Sequence, residues 1–149
     1  MTTPAVASAR VDVPLDQADA FDTFTTEIGD WFVINQFTVR DHTEIRTVRI
    51  EPGVGGRLVY VKSIETGDGV TAGRVIAWDP PRLFAFVDGR ELEVTVTFEP
   101  LGVGCRVTVE ERGFDKLDPD VARRVQRHSW HQHLPTWFEE HVHRRSTTR

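Results

Sequence analysis

The sequence predicts an α+β fold in which a curved antiparallel sheet of about six to seven strands wraps one long C-terminal helix. Three observations predict it. Between Glu44 and Glu111 apolar and polar residues alternate with a period of two, punctuated at short intervals by glycine and proline. From Asp118 to about Arg145 the period becomes that of a helix. A sheet with one apolar face and a helix with one apolar stripe bury both by packing together.

The elements follow in order. Residues 7–13 form the first strand, with Ala7, Ala9, Val11 and Val13 alternating against Ser8, Arg10 and Asp12, and Pro14 stops it. Asp16 caps a helical segment over residues 16–28, read as one helix or two short ones. Its helical spacing is Ala18, Phe21, Phe24 (or Thr25) and Ile28, and Gly29 is expected to end it ahead of Trp31 and Phe32. Strands then cover 45–50, closed by Pro52-Gly53, and 57–64, opened by Gly55-Gly56. Residues 70–78 and 82–87 follow, divided by Asp79-Pro80-Pro81. Asp88-Gly89 is a hairpin signal, leading to strands at 92–98 and 103–111. Hairpin-length connections make the sheet an antiparallel meander with one face packed and one solvated. Asp118-Pro119 is a helix start, with Asp as N-cap and Pro where its missing N–H costs nothing.

At 149 residues the chain has the usual length of one domain, here 1–149 with its core over about 7–144. Such a chain buries ~68–70% of its unfolded surface and needs no disulfide or metal staple. A net charge of -5 argues against nucleic acid, which usually selects a basic footprint. No apolar run approaches the ~18 residues of a membrane span. The opening MTTPAVASARVDV lacks a basic region ahead of an apolar one, so a cytoplasmic location is expected. The lone Cys105 sits in an alternating apolar pattern and reads as a small buried hydrophobe.

Five of six histidines crowd into HSWHQHLPTWFEEHVH, residues 128–143. Metal binding on one helix needs ligands at i and i+3 or i+4, sharing a face. At ~100° per residue, Trp130, Leu134, Trp137 and Phe138 make one apolar stripe, while the histidines scatter around the helix. His128 and His131 are the only i,i+3 histidine pair, and Glu139 and Glu140 lie too far along to complete their sphere. The segment therefore reads as a core-facing stripe with surface histidines, and neither metal nor cofactor is expected. His141 is the exception, because it falls inside the stripe. It reads as a core-edge histidine or as a polar contact in a ligand pocket. Val121 and Val125 are out of phase with the later stripe, which places a break near His128, and Ser129 with Gln132 has the spacing of a capping box. Pro135 is expected to kink the helix near Leu134.

The aromatic residues cluster at Trp31-Phe32, Tyr60, Trp78, Phe84, Phe86 and the last helix. Taken alone they fit either a packed core or an aromatic-lined small-molecule site.

The stretches VDVPLDQADAFDTFTTEIGDWF, EPGVGGRLVY, GRVIAWDPPRLFAF, EVTVTFEPLGVGCRVTVEERGF and SWHQHLPTWFEEHV occur in that order. Together they resemble the START-like SRPBCC superfamily, and within it the activator of 90-kDa heat-shock protein ATPase homologue family. The resemblance spans about Val11 to Val142. It implies a helix-grip fold, with two short helices after the first strand and a hydrophobic cavity between sheet and C-terminal helix. It also implies that Trp130, Leu134, Trp137 and Phe138 line that cavity with Tyr60, Trp78, Phe86, Trp31 and Phe32. His141 joins them from the stripe. Two departures stand out: Val87-Asp88-Gly89 where members often carry tryptophan, and Ser129 where many have glycine before the helix tryptophan.

Three functions are ranked from this. First is a binding or carrier domain for a small hydrophobic or aromatic ligand, with Arg46, Arg57 or His141 orienting a polar end. Second is a co-chaperone-like protein-interaction domain that partners a chaperone or other protein, a role the family name implies. Third is a polyketide aromatase- or cyclase-like enzyme, with His141 as base assisted by Glu110 or Asp88. No catalytic residue is assigned, since no nucleophile elbow, phosphate loop or paired-carboxylate signature occurs. Monomer and homodimer both remain open.

Overall fold

The computed structural model describes residues 5–36, 38–39 and 41–147. Met1 to Pro4, part of the opening segment read above, lie outside them.

Strand β1 (Val6–Val13) leads into helix α1 (Gln17–Thr26) and the one-turn helix α2 (Ile28–Trp31). Asp16 caps α1 as expected, accepting the Asp19 amide at 2.8 Å. Gly29 does not end the segment but sits within α2. A Cβ there would meet Thr47 Oγ1 at 2.5 Å and the Val48 carbonyl at 3.0 Å. Glycine is what lets α2 rest directly on the edge strand.

Six strands follow: β2 (Thr47–Ile50), β3 (Arg57–Val61), β4 (Gly69–Asp79), β5 (Leu83–Asp88), β6 (Glu93–Leu101) and β7 (Gly104–Arg112). They pair antiparallel with β1 in one seven-stranded sheet, in the order β1-β7-β6-β5-β4-β3-β2. Register shifts between Leu58 and Val59, and between Val75 and Ala77, put irregularities in β3–β4 and β4–β5. Such irregularities bend strands and increase twist, which suits a sheet that curls around a helix. β3 stops at Val61, short of residue 64, because the amides of Lys62 and Ser63 both turn to the Asp68 carbonyl.

The inner face carries Val94, Val96 and Phe98 of β6 and Cys105, Val107 and Val109 of β7, all fully buried. Glu93, Thr95 and Thr97 occupy the opposite, more accessible face. Burial drives the Cys105 thiol up to about 11, so it stays protonated. α1 adds Phe21 and Phe24, whose rings pack against Phe84 and Phe98 of the sheet.

α3 (Pro119–Arg127) begins at Asp118, whose side chain accepts the Asp120 amide. The break near His128 is present, and α4 (Trp130–Thr147) starts beyond it. Its cause differs from the expected capping box. Glu111, at the end of the inner face of β7 and 0% exposed, accepts both the His131 amide and His131 Nδ1 through Oε1, each at 2.6 Å. A carboxylate from the sheet thus caps the new helix and complements the positive end of its dipole. The Ser129 hydroxyl meanwhile bonds the Gln126 carbonyl and approaches His131 Nδ1 at 2.9 Å.

This cap corrects one expectation. His131 is not a surface residue but is 6% exposed, and its ring meets Phe114 edge-on. The buried side of α4 comprises His131, Leu134, Pro135, Phe138, His141 and Val142, rotated slightly from the stripe expected. Pro135 lies inside the helix and α4 runs on past it.

Candidate functional site

Between the sheet and the first turns of α4 lies a cavity of about 500 Å³. Small-molecule sites run from ~300 to ~1,000 Å³. One wall is α4, which presents Trp130, His133, Leu134 and Trp137. Opposite stand Tyr60 of β3 and Thr71 and Ala72 of β4. Phe32, just past α2, joins the two walls by ring contacts to Trp137 at 5.4 Å, Trp130 at 6.0 Å and Tyr60 at 6.1 Å. The Asp88–Arg90 turn and the His128-Ser129 junction form the remaining border with Thr38.

Local chemistry positions these side chains. Asp88 Oδ1 accepts the amides of Arg90 and Leu92, which folds the turn, and Oδ2 accepts the Trp130 indole N–H at 3.0 Å. Edge-on contact with Phe86 at 5.3 Å completes the Trp130 seat. Burial pushes the Tyr60 phenol well above its usual range, so it remains a neutral hydroxyl. His133 stacks nearly parallel on Trp137 at 4.8 Å, and on His128 at 5.9 Å. Its Nε2 is buried with no hydrogen-bond partner.

Desolvation, followed by the charges of His128 and His131, lowers the His133 pKa below the ordinary 6.5. The unfolded imidazole therefore binds a proton first as pH falls. Stability should drop below about pH 6.5 and level off only once pH has passed the folded-state value. Denaturation curves between about pH 7.5 and 5 should show that slope, and His133→Phe, which keeps the stack, should flatten it. An equal slope in the variant would assign the loss to other groups.

Of the ten residues proposed for the cavity, the structure brings five to it: Phe32, Tyr60, Trp130, Leu134 and Trp137. Phe86 stands behind Trp130. Trp31 and Phe138 lie in the core, packed on Phe24 and on each other. Trp78 packs on Phe21 and Phe84. His141 faces Glu27, with Nε2 3.1 Å from Oε1, and Arg145 joins the same carboxylate at 3.5 Å. None of these five lines the cavity.

The proposed polar anchors are also elsewhere. Arg57 is bonded to Glu51, and the two guanidinium groups of Arg57 and Arg49 hold that carboxyl down at about 2. Arg46 is exposed. The cation at the cavity is Arg90, inside a turn whose sequence announced only a hairpin. Its sole legible signal was its place directly after Asp88-Gly89.

Ser129, His131 and Glu111 superficially suggest a nucleophilic triad. The geometry excludes a proton relay through the ring, because serine and glutamate both approach Nδ1. A relay needs one partner on each ring nitrogen. Nor do His141, Glu110 and Asp88 assemble: Glu110 pairs with Arg112, and Asp88 holds Trp130. Among the described residues, no group of three or more His, Cys, Asp or Glu side chains is placed to hold a metal ion. No helix among them is long and apolar enough to cross a membrane.

A curled antiparallel sheet gripping a long C-terminal helix, with an aromatic-walled cavity between them, defines a helix-grip protein. The chain belongs to the family described as Activator of Hsp90 ATPase homolog 1-like protein, whose model matches residues 15–143. No curated protein sequence matches it. Among solved structures it is similar to the AHSA1-like protein of Aeromonas hydrophila, at 17% identity and TM-score 0.66 over 95% of this chain and 94% of that one. Protein NE0264 of Nitrosomonas europaea is similar at 13% identity and TM-score 0.66, over 97% of both chains. CalC of Micromonospora echinospora, described as a self-sacrificing resistance protein, is similar at 22% identity and TM-score 0.63 over 94% and 95%. At these identities the likeness is one of fold.

Proposed function

We propose that this protein is a binding or carrier domain for a small hydrophobic or aromatic molecule held between sheet and C-terminal helix. The cavity of about 500 Å³, walled by Phe32, Tyr60, Trp130, Leu134 and Trp137, carries the reading. Its rings offer wide apolar contact, and burial there contributes about 25 cal/mol per Å² removed from water. Tyr60 and the threonines supply the few polar groups that orient a ligand in such sites. The absence of a relay through His131 favours binding over catalysis.

Native mass spectrometry of the protein purified from its own cells, beside its denatured mass, tests this. The expected result is an adduct of a few hundred daltons that is lost on denaturation and absent from Ala72→Trp, which fills the cavity. An unliganded chain that instead travels with a chaperone would replace this reading with the protein-interaction one.

A further inference from the structure

We infer that the ligand is amphipathic, with a ring-bearing apolar body inside the cavity and an anionic group at its mouth. The inference rests on the binding reading above and adds the chemical class of the ligand. Its basis is a juxtaposition. Arg90 and His128 border the cavity, and both also border a second depression, which Val121, Arg124 and Val125 of α3 complete. Arg90, from the sheet side, therefore stands at one end of the aromatic-walled space, and Arg124, from a helix, shares the depression that adjoins it. In a chain of net charge -5 this is a local reversal of sign.

These cations retain donor capacity. The acid beside Arg90 is Asp88, whose Oδ2 lies 3.7 Å from Arg90 Nη1, beyond hydrogen-bond range. Both Asp88 oxygens are already engaged by the turn amides and the Trp130 indole. The Arg90 side chain is 56% exposed. Arg124 is exposed and makes no ion pair among the described residues. Arginine's planar, permanently charged fork fits carboxylate, sulfonate or phosphate oxygens. The simpler account is that basic residues in the last turn of α3 complement its dipole. That covers Arg124 but not Arg90, which reaches the same place from the turn after β5.

A pair of dyes with one aromatic body tests the inference: anilinonaphthalene sulfonate, and phenylnaphthylamine, which lacks the sulfonate. The protein should bind the sulfonate dye about tenfold more tightly, the scale of one charge-assisted contact at a partly solvated site. The double variant Arg90→Gln/Arg124→Gln should erase that preference, bringing the affinities for the two dyes to within about twofold of each other. Added salt should weaken only the anionic dye. Equal affinities, or a preference that survives in the double variant, would overturn the anionic head and leave the cavity reading standing. Failure of both dyes to bind, or binding that Ala72→Trp does not reduce, would overturn the cavity reading and the inference with it.

Discussion

Replacing His131 by phenylalanine should lower the free energy of unfolding by about 3–5 kcal/mol, the usual cost of stranding one member of a buried charged pair. Glu111 is wholly buried, and its Oε1 accepts two bonds, one from the His131 ring and one from the His131 amide. Its Oε2 has no partner. Phenylalanine keeps the edge contact with Phe114 and the helix amide, so the variant isolates the ring nitrogen. A carboxylate left with one amide in a dry site must shed its charge or draw in water, and either costs stability. The double variant Glu111→Gln/His131→Phe should recover much of the loss, since a neutral amide can still cap α4. Guanidinium denaturation of the parent, the two single variants His131→Phe and Glu111→Gln, and the double variant measures the cycle. A single-variant loss near 1 kcal/mol, the worth of an ordinary neutral hydrogen bond, would show that the pair is uncharged.

The second large effect separates neighbours on α4. Phe138 is 0% exposed, with its ring 5.0 Å from Phe24 and 5.6 Å from Trp31. Phe138→Ala should cost about 3–5 kcal/mol, the lost burial plus the void left behind. Trp137, one position earlier, stacks on His133 and meets Phe32 edge-on at the cavity wall. Trp137→Ala should cost much less stability, because the space it vacates adjoins an existing cavity. It should instead weaken binding of phenylnaphthylamine about tenfold, on the scale of one lost aromatic contact. Melting curves and dye titrations on both variants decide the matter. If Phe138→Ala spared stability and lost the dye, the cavity would have to reach behind the helix.

These two residues show where sequence reasoning succeeds and where it stops. Helical spacing placed Trp130, Leu134, Trp137 and Phe138 on one stripe, and all four do face inward or border the cavity. Spacing cannot separate core from wall, because that depends on what the sheet sets opposite each ring. With His128 at 0°, the same ~100° per residue puts His131 at ~300°, close to Phe138 at ~280°, yet its residue type argued for the surface. Only Glu111, twenty positions away in the chain, makes burying that imidazole favourable. Glu111 itself stands in phase with Cys105, Val107 and Val109, so period-two alternation does place it on the inner face. A carboxylate at an inward position was the signal that something polar waits across from it.

Turn chemistry and periodicity by themselves determined the element order, the antiparallel meander and the Asp16 and Asp118 caps, because these depend on residues within a few positions of one another. The tertiary structure alone decided that Gly29 continues a helix against β2, that a glutamate from β7 starts α4, and that Arg90, Arg124 and His128 border one depression beside the cavity. Each of those outcomes joins groups far apart in sequence. Distance along the chain says nothing about such meetings until the sheet has curled around the helix.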